Sequence, residues 1–302
     1  MLSIRTAPHP GAELRTEARP LGAHIQEILA AIKSLEPLPQ VAMRVVQIAS
    51  HEDVVPRDLV GVIDTDAAVT AKVLKLCNSA YYGFKREIGS LPEAANLLGV
   101  STLVNLVLTS CSGRYFRDYG QVDGATANRL WEESVVDAIA SSLIARLEGH
   151  VDKNRAYTCG LLQNVGHLVI ARHARATALL VQSEVSRGAA LLDAETAVLG
   201  LSHAEIGGRL AEKWNFPESM ADTIRNHHTP ESARLDPRLA SVTHLGEVVT
   251  RSFLSGNPLE HDPYGLCERA FLLAGIERDA FEMMGDVLSA ELDKAREFLQ
   301  AA

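Results

Sequence analysis

The sequence predicts an all-α protein, and three observations lead there. Apolar residues recur at three-and-four spacing, capping residues stand where the periodic runs begin, and apolar–polar alternation is too rare to build a sheet. Ile25, Ile28, Leu29 and Ile32 mark one buried stripe; Val69, Val73, Leu74 and Leu76 mark another. Asp66 precedes the second run, Ser90 precedes Leu91-Pro92, and Ser101 follows Gly99, a natural helix terminator. Ser202 and Glu205 have the spacing of a capping box ahead of Ile206, Leu210 and Trp214. Pro39 suits the first turn of a helix, where a missing N–H costs nothing. Asn78 and Gly83 suit a turn leaving a helix, with Tyr81, Tyr82 and Phe84 expected to cover the core below it. Gly207-Gly208 lies inside a helical pattern, which points to close helix packing.

Composition narrows the function classes. The chain has 302 residues, 47% of them hydrophobic and 22% charged, so it can build a real core. Its net charge is −9 with no basic run interleaved with aromatics, so direct nucleic-acid binding is not expected; a local pocket can still accept a small nucleotide. Cys77, Cys111, Cys159 and Cys267 are scattered without a C-x-x-C pair, which suggests buried, reduced thiols in a cytoplasmic protein. No apolar run approaches the roughly 20 residues of a membrane span. The first 20 residues lack the apolar core of a signal peptide and suggest a flexible tail, residues 1–20. A stretch rich in Gly, Asp and Asn after Tyr115-Phe116 divides residues 21–117 from residues 125–302, and the short connection predicts halves that pack as one unit. Thr229 to Pro237 forms a second polar break. Phosphate-cradling glycine loops and nucleophile elbows are absent, and no cysteine has a recognisable histidine partner.

Ordered motifs add a resemblance. LEPLPQVAMRVVQIAS, LVGVIDTDAAVTAKVLKLCNSAYYG and IGSLPEAANLLGVSTLVNLVL follow one another in the front half. LWEESVVDAIAS, GLLQNVGHLVI, LSHAEIGGRLAEKWNFPESMADTIRNHH and SVTHLGEVV follow in the back half. In this order and spacing they resemble the HDOD domain family, degenerate relatives of the HD and HD-GYP phosphohydrolases. The resemblance implies a multi-helical HD-like bundle with an N-terminal helical part packed on it.

Active HD phosphohydrolases hold a divalent metal with a first-helix histidine, a His-Asp pair and a distant Asp; the metal activates water and polarises phosphate. Carried onto this chain, the first histidine's place holds Glu133, the pair is Gln163 and Asn164, and the last acid is Glu247 after His244. Two neutral amides supply no charge to a cation, so the resemblance implies loss of hydrolysis: no catalytic residue, no metal and no cofactor are expected. Glu133, Gln163, Asn164, His203, His227, His228 and Glu247 remain as a relic pocket that could take a ligand. His203 and His228 can also be read as structural, supporting a capping turn and a helix C-terminus. The implied role is a regulatory, stand-alone HDOD domain in bacterial signal transduction, with input from a separate signalling partner or a small ligand. Two alternatives stand beside it: a divergent metal-dependent phosphohydrolase using Glu133, His203, His227, His228 and Glu247, and a pocket that binds a cyclic dinucleotide without cleaving it.

Overall fold

A computed structural model describes residues 21–49, 54–118, 124–173, 175–255, 268–283, 288–294 and 298. The N-terminal tail and Cys267 therefore lie outside the described residues, as do residues 119–123 at the expected boundary. The described chain is helical, with no strand. The front half carries α1 (Leu21–Ser34), α2 (Gln40–Ala49), α3 (Pro56–Ile63), α4 (Ala67–Cys77), α5 (Leu91–Leu98) and α6 (Val100–Asp118). The back half carries α7 (Gly124–Glu148), α8 (Lys153–Leu162), α9 (Gly166–His173), α10 (Arg175–Ser186), α11 (Leu191–Leu199) and α12 (His203–Lys213). It continues through α13 (Glu218–Arg225), a 3-10 turn at Pro230–Ser232, α14 (Pro237–Ser255), α15 (Glu268–Ala274) and α16 (Arg278–Met283).

Local chemistry sets several helix starts. Asp66 accepts the N–H groups of Ala68 and Val69 at 3.0 and 3.1 Å, satisfying donors that the first turn of α4 would otherwise leave bare. Ser90 and Ser202 each accept from the residue three positions on, Glu93 and Glu205. The capping box at Ser202 forms by half: the Glu205 carboxylate turns instead to Arg209 and Arg225, where charge-assisted bonds of 2.9 and 3.0 Å outcompete a neutral N–H. Ser101 is not a cap, because α6 already begins at Val100, directly after Gly99 closes α5 at φ 84°. Asn78 ties its turn to the next segment, donating to the Leu74 and Ile88 carbonyls and accepting the Ile88 N–H at 2.7 Å. Tyr81 and Tyr82 lean on the core, whereas Phe84 is exposed.

One hydrophobic cluster runs through both halves, from Ile28 and Leu59 to Leu210 and Leu245. The α6 helix joins them. Its Thr109 hydroxyl meets the Tyr157 hydroxyl of α8 at 2.8 Å, Asn105 donates to Asn154 at 3.0 Å, and Tyr115 packs edge-on against Trp214 of α12. Cys77, Cys111 and Cys159 are buried. Helix α7 packs along α8 and α14; α13 lies against α8 and α14, and α12 packs on α13 and α9.

Helix α1 lies across α9, α11 and α12. The Lys213 ammonium donates to the carbonyls of Ile32, Lys33 and Leu35, at 2.8, 2.8 and 2.6 Å, and so satisfies the open end of α1 with positive charge. Lys213→Met is expected to cost about 1 kcal/mol, at the lower end for charged hydrogen bonds because the group is partly solvated. Hydrogen exchange should accelerate over residues 24–35 and stay unchanged over α7. Equal protection in α1 would show that the ammonium does not hold it.

Candidate functional site

The site grows from three helix ends and two helix faces. The C-terminal end of α8 delivers Gln163 and Asn164, and a tight turn leads straight into α9 with His167. The start of α12 delivers His203. Beyond α13, the turn at 226–229 delivers His227 and His228, and it is pinned because Asp222 accepts the N–H groups of Arg234 and Leu235 at 2.7 and 2.9 Å. Helix α7 supplies Glu133 and Asp137, one turn apart; α14 supplies His244, Glu247 and Arg251 at successive three-and-four spacing. Glycines bring these elements close. Gly207 lies against Ile224 and the Gln163 carbonyl, and Gly208 against Arg225, the packing expected of that pair.

Every residue singled out in the sequence falls in this region, although each partners differently. Gln163 is fully buried, and its carboxamide approaches Asp137 without a hydrogen bond of good geometry. Asn164 donates to Asp137 Oδ2 at 3.0 Å. Glu133 keeps 27% of its side chain exposed and pairs with Arg129. Glu247 is buried and paired with Arg251; its Oε2 lies 3.6 Å from His228 Nδ1 and 3.9 Å from His227 Nε2. The imidazoles form a contiguous group. His203 stacks on His167 with centroids 3.9 Å apart, its Nε2 is 3.0 Å from His228 Nε2, and His227 lies against His228 at 4.2 Å between centroids. His228 does not cap the C-terminus of α13, since its ring is turned to His203.

Sequence reasoning missed Asp137, His167, Glu195 and Arg251 as members of the site, and treated His244 only as a marker. Glu195 of α11 accepts both the backbone N–H of His203, at 2.8 Å, and faces its ring Nδ1 at 2.7 Å. His244 Nδ1 donates to the His227 carbonyl at 2.9 Å, locking α14 to the histidine turn.

Burial governs the electrostatics. Burial, with the neighbouring His227 adding to it, holds His203 well below the usual imidazole range, and burial does the same to His228; both are neutral rings near pH 7. Burial pushes the Asp137 carboxyl up to about 8, assisted by the Glu247 charge. Burial would also raise Glu247, but the Arg251 guanidinium and His227 outweigh it and hold that carboxyl below its ordinary value. The two acids of the pair are thus pushed apart, Asp137 upward by burial and Glu247 downward by Arg251.

An HD-type metal requires imidazole and carboxylate at the positions of Gln163 and Asn164. The residues present do not fit it: both side chains are neutral, and the Asn164 amide is turned nitrogen-first to Asp137.

The comparisons agree with the fold. The model of the HDOD domain family matches residues 35–230. A Treponema pallidum (strain Nichols) protein without a described function is 28% identical over 258 residues, which cover 84% of this chain and 49% of that protein. The chain thus spans about half the length of this relative. Among solved structures, a Shewanella amazonensis SB2B protein carrying a phosphohydrolase name superposes with a TM-score of 0.74 at 25% identity, covering 92% of this chain and 98% of that one. An HDOD domain protein of unknown function from Geobacter sulfurreducens gives 0.72 at 24% identity, covering 92% and 96%. A Marinobacter aquaeolei VT8 protein with a signal-transduction name gives 0.71 at 23% identity, covering 96% and 68%.

Proposed function

Because the chain belongs to the HDOD family, we propose that it is a signal-transduction regulator that works by binding, a partner protein or a small nucleotide-class ligand, and does not hydrolyse phosphate esters. One observation carries this reading: the Asn164 amide donates to the buried Asp137 carboxyl at 3.0 Å where an HD enzyme would aim negative charge at its metal. Removing an outer group that merely supports a ligand costs roughly 10–100-fold in metal affinity or activity, and replacing the ligand pair itself costs more. Recognition chemistry remains at the edge of the site, where Arg129, Glu133 and Arg251 are partly exposed.

No helix among the described residues is long and apolar enough to cross a membrane.

The test is turnover by the metal-supplemented full chain against bis-p-nitrophenyl phosphate, mononucleotides and cyclic dinucleotides, with calorimetry on the same nucleotides. The expected result is no turnover above a protein-free blank. Metal-dependent turnover that disappears in His228→Asn would replace the regulatory reading with the phosphohydrolase one, since the histidine group with Glu247 is the arrangement that favours it.

A further inference from the structure

Helix α1 touches three elements that build the site. It packs on α9, which carries His167, on α11, which carries Glu195, and on α12, which begins with His203. Ile28, Ala31 and Ile32, with Leu35 just past its end, make a buried face at three-and-four spacing, while Gln26, Glu27, Ala30 and Lys33 face solvent. Each end of α1 has its own fastening. Near its start, Ile25 fills the space over Gly200, where an added β-carbon would run into the Ile25 side chain. At its close, the Lys213 ammonium gathers three carbonyls. With 14 residues, α1 is at the limit of roughly 12–15 that stands alone in water, so its form depends on this docking. It also lies ahead of residues 35–230, the stretch that the family model matches.

The docking of α1 reaches the site through α11. That helix packs mainly on α10 and on α1, and its Glu195 is buried. One carboxyl oxygen of Glu195 takes the His203 backbone N–H at 2.8 Å and shares a hydrogen with ring Nδ1 at 2.7 Å. The other lies 3.6 Å from His167 Nδ1. Glu195 thus orients the His203 ring, and α1 seats the helix that carries Glu195. We propose that α1 is a releasable strap: docked, it holds Glu195 against His203, and released, it frees α11 and undoes that contact. Opening one helix at the edge of a fold costs less than unfolding the whole, which lets α1 leave while α7, α8 and α14 stay packed on one another. The strap regulates the site of the binding reading above and rests on that reading for its purpose. Glu195 serves in it as a positioning residue, acting through the His203 ring.

The experiment unseats α1 in the full chain with Ile25→Asp and Ile28→Asp together, since a buried, unpaired carboxylate is not tolerated on its docking face. Amide hydrogen exchange is read over residues 24–35, 191–199 and α7, and proton NMR follows the hydrogen shared by Glu195 and His203 Nδ1. Protection is expected to vanish over both α1 and α11 and to persist in α7, and the ring hydrogen should lose its signal to exchange with water. Gln26→Asp, which adds the same charge to the solvent face of α1, should leave all of these as in the wild type. Protection that stays in α1 despite both aspartates overturns the strap. So does an α1 that is released while residues 191–199 and the ring hydrogen are unchanged. Circular dichroism checks the fold of the double variant. If it does not fold, native-state exchange of the wild type in low urea decides: α1 and α11 are expected to open together, at lower urea than α7. An α1 that opens only together with α7, or without α11, overturns the proposal. These readouts need neither ligand nor turnover, so their failure is separate from a failure of the binding reading.

Discussion

Gly166→Ala is expected to cost about 3 kcal/mol of folding stability, the upper part of the range for forcing atoms into a packed interior. Gly166 opens α9 directly against the first residue of α12. A β-carbon built there would stand 2.8 Å from the His203 carbonyl carbon and nearer still to its oxygen, and 3.0 Å from the His203 Cα. All three neighbours are backbone, so no side-chain rotation relieves the clash and α9 has to move off α12. That movement would carry His167 away from its stack on His203 and disturb the reach of Glu195 to the same ring. Gly61→Ala is the matched control. It lies exposed inside α3 with nothing within 4 Å of the added carbon, and it should stabilise by about 0.5–1 kcal/mol through helix propensity alone. Urea denaturation of the two variants beside the wild type decides the matter: equal, small effects would mean that the α9–α12 contact yields easily and that this glycine has no special place.

The contrast between these glycines also shows where sequence reasoning reaches and where it stops. Asp66 and Ser202 were legible as caps because a cap and its N–H partners lie within three residues. Glu205 is drawn off its capping role by Arg209, four residues on, and by Arg225, twenty residues away, and the second of these arrives only through folding. Helix α6 starts two residues before a cap at Ser101 would allow, since Gly99 ends one helix and the next begins with no polar cap between them. Phe84 has no local signal that distinguishes it from Tyr81 and Tyr82. At the site, motif order led to His203, His227, His228, Gln163, Asn164, Glu133 and Glu247. Asp137, one helical turn past Glu133, looks like any acid on a long helix until Asn164 is seen donating to it. Glu195 belongs to no motif, and its contact with His203 depends on how α11 is set against α12. Arg251 could have been suspected from its four-residue spacing to Glu247, but that spacing is common on solvated helix faces.

Arg251→Met tests the electrostatic balance of the site, and its effect is expected to grow with pH. Three carboxyl groups, those of Glu133, Asp137 and Glu247, interact within one region, and the Arg251 charge lowers two of them, Glu133 and Glu247. Removing the cation leaves Glu247 buried without its guanidinium, a change that costs about 3–5 kcal/mol where both partners are fully enclosed. Arg251 keeps 26% of its side chain exposed, so about 2 kcal/mol is the better expectation at pH 8. The sign follows from linkage. In the wild type Glu247 is held below its ordinary value, so its pairing stabilises the fold above the unfolded carboxyl value of about 4.3 and is lost as pH falls. In the variant the same carboxyl is raised by burial, the folded state takes up a proton that the unfolded state does not, and stability declines as pH rises above about 4.3. The two curves should therefore converge near pH 4 and separate toward pH 8. Adding Glu247→Gln to the variant removes the buried charge and should restore most of the loss at pH 8. A deficit of the same size at pH 5 and pH 8, untouched by the second substitution, would assign the cost of Arg251→Met to lost packing of the arginine stem and leave Glu247 neutral in the folded protein.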